Sequence, residues 1–259
     1  MSIGAAVEEV SSTSKKTGSD AGMNAFARSV LQVMDQVEYR LCVNREDMED
    51  IFRLRYEAYL ASGMIKASAL KMVEDEFDGL ENGYCYGIYY NDNLVSTVRL
   101  HHITAATPKA PSTKVFGDIL EPRLAAGESF VDPSRFAVDP QWSAHLRVFP
   151  YITLRLALIS TYFFEPTSCL TAIKEEHAGF YKRMFLATPL VRGRVYPGLT
   201  CPVDLWESKY PFCADQGAKR FAFFRSTPLE RRMLFTKPTD SYRAPLTILP
   251  STKFLDRAA

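Results

Sequence analysis

Residues 149–165 read FPYITLRLALISTYFFE. Helical spacing puts apolar side chains nearly all round this segment, and a helix of that kind is buried. The segment carries a charge and is too short to span a bilayer; nowhere else does an uncharged apolar run approach the ~18 residues that spanning requires. A buried helix needs other elements around it, and the chain supplies them. EYRLCV (38–43) reads as a strand. YCYGIYY and LVSTVRLHHI flank the turn signal NDN (91–93) and read as an antiparallel hairpin. FVDPSRFAV (130–138), SCLTAI (168–173), residues 191–206 and KRFAFFR (219–225) read as further strands. Between them, REDMEDIFRLRYEAYLAS (45–62) follows Asn44, a suitable N-cap, and reads as a helix. FGDILEPRLAAGE (116–128) and EEHAGFYKRMF (175–185) are also helical in pattern, whereas residues 104–115, rich in Pro, Thr and Ala, read as a loop. Strands and helices mix, with hairpins early. That is an α/β (α+β) fold with a central mixed, twisted sheet flanked by helices.

Before these elements, residues 1–22 lack periodicity and are expected to be disordered. MNAFARSVLQVMDQV (23–37) then places Phe26, Val30, Val33, Met34 and Val37 on one helical face, expected to pack on its own domain. Residues 23–259 are expected to form a single domain, consistent with 47% hydrophobic and 24% charged residues in 259. Five cysteines without a C-x-x-C suggest neither a disulfide framework nor a zinc site. With no export signal, a soluble cytoplasmic protein is expected. A net charge of +1 argues against a nucleic-acid binder, but it hides an asymmetry. Residues 1–140 hold 14 Lys+Arg against 21 Asp+Glu, net −7, and residues 141–259 hold 17 against 9, net +8. The C-terminal half is thus suited to an acidic partner.

Several chemistries are excluded. No phosphate-binding glycine loop and no G-x-S-x-G elbow occurs. His101 and His102 are neighbours on a strand and face opposite ways, so they cannot share a metal, and no metal site is expected. What remains is a set of charged residues on elements that should be partly buried: Arg55, Asp75, Asp78, Arg99, Asp132 and Arg135. Arg55 stands out. It lies on the helical stripe Met48, Phe52, Arg55, Tyr59, which is otherwise apolar, where a charge is costly unless paired.

In order and spacing, LRYEAY (54–59), DEFDGL (75–80), VRL (98–100) and DPSRFAV (132–138) resemble the signature blocks of acyl-homoserine lactone synthases. HAGFYKRMF (177–185), YPGL and CPVDLW resemble the long-chain N-acyl amino acid synthases, which share that architecture. Both are variants of the GNAT-type N-acyltransferase fold, and the resemblance covers roughly residues 38–206. It implies a transferase moving a long-chain acyl group from a thioester to the amine of an amino acid. The chain departs from the lactone synthases in having Asp132 where they carry Glu, and no tryptophan past Tyr59, Met64 standing nearest. Both departures weaken the case for S-adenosylmethionine as acceptor. DPQWSAHLR (139–147) has no glycine where coenzyme A–dependent members place a pyrophosphate loop. The implied donor is therefore an acyl carrier protein thioester, or else acyl-coenzyme A, with no tightly bound cofactor. The acidic carrier protein would meet the basic C-terminal half.

By the same resemblance, Asp132 is the candidate base, with Asp78 second, and Tyr181 the candidate donor to the thiolate. Arg99 and Arg135 are the candidates for the amino acid carboxylate; Arg135 otherwise anchors the acidic loop 74–78. Arg55, Tyr59, Asp75, Asp78, Ser134 and Phe136 complete the expected binding set. Helix 149–163 and strand 84–90 are candidates for an acyl tunnel. Three other readings stay open at this point: a lactone synthase, a non-catalytic lipid- or carrier-binding module, and a balanced network of Arg55, Arg99 and Arg135 with Asp75, Asp78 and Asp132 that braces the sheet.

Overall fold

In a computed structural model, the structure describes residues 25–196, 198–237 and 247–255. The segment 1–22, expected to be disordered, lies outside them. The elements in chain order are α1 (Ala25–Met34), β1 (Val37–Leu41), α2 (Arg45–Ala61), β2 (Gly83–Tyr90), β3 (Asn93–Ile103), α3 (Pro111–Ala125), β4 (Phe130–Val138), α4 (Pro140–His145) and α5 (Phe149–Phe164). There follow β5 (Ser168–Ile173), α6 (Ala178–Phe185), β6 (Thr188–Val195), β7 (Pro202–Lys209), α7 (Phe212–Arg220), α8 (Pro228–Phe235), β8 (Thr247–Ile248) and α9 (Thr252–Leu255). The strands form one mixed sheet in the order β6-β7-β5-β4-β3-β2-β1-β8.

Local chemistry sets most boundaries. Asn44 caps α2, its side chain accepting from the Asp47 N–H at 2.8 Å. Asn91 and Asp92, both at positive φ, form the two-residue turn that joins β2 to β3. The loop expected over 104–115 ends early, because Pro111 sits in the first turn of α3. Phe116, where the sequence pattern starts a helix, is instead a kink inside it (φ −121°, ψ 29°). Val37, placed by periodicity on the face of the first helix, begins β1. The strand expected at KRFAFFR is not one. Lys219 and Arg220 end α7, and Ala222–Phe224 form a 3-10 turn whose rings are buried. The aromatic run that resembles a strand is here core filling.

The long helix α5 is buried as its composition requires, from Ile152 to Thr161 without a break. It covers one face of the sheet with α1, α7 and α8. There α1 packs on its own chain, Phe26 meeting Tyr151 with ring centroids 4.6 Å apart. Helices α2 and α3 cover the other face.

Among the described residues, neighbouring strands pair antiparallel along most of the sheet, and β4 and β5 alone run parallel. They pair only at Phe130↔Ser168 and Val131↔Cys169. Past Val131 and Cys169 they diverge, and the sheet opens from within. This gap positions the site.

Candidate active site

The side chains singled out in the sequence converge beside the gap. From α2, Arg55 is fully buried and its Nη1 donates to Asp78 Oδ1 at 2.8 Å. From β3, Arg99 donates through Nη1 and Nη2 to the two oxygens of Asp75 at 2.6 and 3.1 Å, a bidentate pair. Its Nη1 also lies 2.8 Å from Asp78 Oδ1, and its Nε donates to Ser134 Oγ at 3.1 Å. The acidic loop is folded around its own carboxylates: Asp78 Oδ2 accepts from the Asp75 N–H and Asp75 Oδ1 from the Phe77 N–H, each at 2.9 Å.

Ser134 and Arg135 are adjacent on β4, and a regular strand would send them to opposite faces. Instead Arg99 pairs with Ser134 and Thr97 with Ala137, so β4 spends one more residue than β3 over this interval. That is a β-bulge, and Arg135 occupies it at φ 52°. The bulge turns Arg135 toward the same acidic loop, where Nε and Nη2 donate to Asp75 Oδ2 at 2.9 and 2.6 Å. Pro133 stays in register opposite Leu100. Phe136 returns to the α5 face and packs on its core.

The balanced network of three arginines and three aspartates is corrected in one member. Asp132 is not in it. Its oxygens accept from the Ser112 N–H at 3.0 Å and the Ser112 hydroxyl at 2.7 Å, in the first turn of α3. Three guanidinium groups therefore share two carboxylates, an excess of one positive charge. Asp75 and Asp132 titrate in opposite directions. Burial by itself raises the Asp75 carboxyl, but hydrogen bonds and charge from Arg99, then Arg135, outweigh it and hold the group well below the carboxylate range. Burial pushes Asp132 up to about 6, against the Ser112 hydrogen bonds and the Arg99 charge. Opposite Asp132 across the strands, His101 is lowered to about 4 by burial and by Arg99, its Nε2 3.0 Å from the Phe77 carbonyl. His102 turns the other way and stacks on Phe164.

Where β4 and β5 part, a cavity of about 180 Å³ passes through the sheet. On the α2/α3 side its lining includes Tyr59, Met64, Ser112, Asp132, Ser134 and Arg135. On the α5 side it includes Leu154, Ala157, Leu158 and Thr161 from α5, and Tyr181 from α6. Burial raises the Tyr181 phenol, so it is protonated at neutral pH. Of the two segments expected to line a tunnel, α5 does, through one stripe, and strand 84–90 does not. Sequence reasoning missed Ser112, and it quoted Tyr196 and Leu199 only within the YPGL block without placing them at the site. Ser112 follows a proline in a helix's first turn, a signal the loop assignment passed over. Tyr196 and Leu199 lie in the β6–β7 connection, where no periodicity marks them.

The model of the family described as N-acyl amino acid synthase FeeM matches residues 50–208. This chain belongs to that family. The FeeM match spans every charged residue of the cluster and the α5 stripe of the cavity, and it ends before Cys213 and Ala214 of α7. The solved structure of FeeM, an N-acyl amino acid synthase from uncultured soil microbes, aligns with a TM-score of 0.54 at 16% identity, covering 70% of this chain and 94% of that one. The likeness shows the fold, a GNAT-like acyltransferase fold. The acyl-homoserine lactone synthase LasI aligns with a TM-score of 0.47 at 12% identity, covering 80% of this chain and 97% of that one. An acetyltransferase from Streptococcus agalactiae 2603 aligns at 0.45 and 9%, covering 67% and 98%. No curated protein matches the sequence. The FeeM-type chain is an acyltransferase. No helix among the described residues is long and apolar enough to cross a membrane.

Proposed function

We propose that this FeeM-family acyltransferase moves a long-chain acyl group from a carrier-protein thioester to the α-amine of an amino acid. One observation carries the reading. A single cavity joins a cluster with one excess positive charge to an apolar helix stripe on the other face of the sheet. An amphiphilic product needs both environments, with the new amide forming where they meet.

The acceptor enters from the α2/α3 side. Its carboxylate meets the guanidinium group of Arg135, which lines the cavity while Asp75 fixes its orientation. Its ammonium must lose a proton before attack. Asp132, raised to about 6, is mostly ionised at neutral pH and accepts that proton directly or through water. The amine then attacks the thioester carbon. The bulge at Arg135 takes backbone out of the β3 ladder beside the cavity, and an N–H freed there stabilises the oxyanion. Collapse expels the thiolate, and Tyr181 supplies its proton. Donor binding follows from the open seam. The diverging edges of β4 and β5 suit an extended, amide-bearing phosphopantetheine arm that adds like a strand. Lys174 and His177 stand at the cavity on the β5 side, in the basic half of the chain, and favour an acidic carrier protein.

The test is direct. Purified protein is given acyl carrier protein thioesters or coenzyme A thioesters, each with a mixture of amino acids, and the products are read by mass spectrometry. N-acyl amino acids from the carrier thioester, lost in Arg135→Ala, bear the proposal out. Folded protein that gives no acyl amino acid with either donor overturns it.

A further inference from the structure

The α5 side of the cavity is lined by a single, largely apolar stripe. Leu154, Ala157, Leu158 and Thr161 form one stripe of α5, spaced i, i+3, i+4, i+7, about 10 Å long at the helical rise per residue. Across from them α7 contributes Cys213 and Ala214. Burial raises the Cys169 thiol, which also lines the cavity, so it is uncharged. At the end beyond Thr161 lies Tyr210, its ring 6.0 Å from that of Tyr162. Two helices approach this closely because α7 carries Gly217 one turn after Ala214, on its buried face. A Cβ there would stand 2.8 Å from Leu158 Cδ1 and 3.7 Å from the Phe224 ring. Leu158 is thus held between Gly217 and the cavity, and the cavity is the open space into which it can yield.

We propose that Ala214 and Gly217, through Leu158, set the longest acyl chain this enzyme accepts. The inference rests on the reading that the apolar arm holds the acyl chain. Leucine in place of Ala214 adds three carbons to the arm and removes room for about three methylenes. Alanine in place of Gly217 drives the Leu158 side chain inward and removes about one. Leu158→Ala lengthens the arm.

The test reads chain length without needing turnover. Saturated fatty acids of increasing length displace a fluorescent fatty acid from the purified protein. Wild-type affinity should rise about fourfold per added methylene up to a cut-off. Ala214→Leu should move the cut-off three methylenes shorter, weakening the longest wild-type ligand about 60-fold, and Gly217→Ala about fourfold. Leu158→Ala should move it longer. The acyl products should shift in parallel. If Ala214→Leu does not fold, Gly217→Ala and Leu158→Ala decide. An unchanged cut-off in folded variants overturns the inference, as does wild-type protein that binds no fatty acid. Cut-offs that shift while wild type makes no acyl amino acid leave the inference standing and overturn the proposed function instead.

Discussion

Two buried arginine clusters lie on opposite faces of the sheet, and they are built on different principles. On the α5 face, Arg155 is bound to Glu230 by Nη1 and Nη2 at 2.5 and 2.9 Å. Its remaining donors are taken by the carbonyls of Phe223 and Arg225 and by Thr252. Glu230 in turn accepts from the Ser251 hydroxyl at 2.5 Å. One cation meets one anion, every group is occupied, and the result ties the C-terminal segment to α5. On the α2 face, three cations share two carboxylates, and Arg135 stands in the wall of a cavity. Burial alone does not tell the two clusters apart. Charge balance and access to a cavity do.

Breaking each cluster should give different losses. The largest is expected on the α5 face. Glu230→Gln leaves Arg155 buried without its counter-ion and should cost about 3–5 kcal/mol, read by thermal unfolding. Turnover by the folded fraction should stay near wild type, and an inactive but folded variant would erase the contrast. Next comes Asp132. Its folded pKa of about 6 lies above the 3.8 of a free aspartate, so its favourable contribution is full below that lower value and is lost as pH rises through 6, about 3 kcal/mol in all. Asp132→Asn should therefore gain stability relative to wild type between pH 4 and 8, while turnover falls ~100-fold or more. A stability difference that ignores pH would refute the assignment. Asp75 runs the opposite way, its contribution present at neutral pH and lost in acid.

A smaller effect is expected at Arg135. Arg135→Lys keeps the charge but not the fork and should lower kcat/KM by about 10- to 100-fold, mostly through KM for the amino acid. A change confined to the acyl donor's KM would place the carboxylate elsewhere. The smallest belongs to an exposed pair. Arg53 and Glu49 stand 2.5 Å apart on α2, yet Glu49→Gln should change stability by less than about 0.5 kcal/mol, because solvent screens the pair. A larger loss on denaturant unfolding would mean that distance alone predicts energy.

Local signals in the sequence carried most of the fold. The stripe of α2, its Asn44 cap, the β2–β3 hairpin and the all-round apolar α5 are read from neighbours a few residues apart, and the structure keeps each. The cluster was legible because Arg55 breaks an apolar stripe and because the block spacing resembles a known family. The misses share a different cause. Ser112 meets Asp132 from 20 residues away and Arg155 meets Glu230 from 75, pairings that no local pattern encodes. The family resemblance implies a bulge in this strand near Pro133, but no local pattern marks Arg135, two residues further on, as the residue that occupies it. The aromatic run at 221–224 failed for the opposite reason, because ring burial in a tight turn and in a strand calls for the same residues.

The two rungs between β4 and β5 give the sheet a seam down its middle. Apart from the two-residue β8, each other strand is fastened to its neighbour along most of its length, yet here the two halves of the sheet are joined edge to edge by four residues. A molecule lying in the gap would supply the missing rungs, so the loaded protein would be a more continuous sheet than the empty one. Substrate is then also mortar, and hydrogen exchange along the inner edges of β4 and β5 would slow as the enzyme fills.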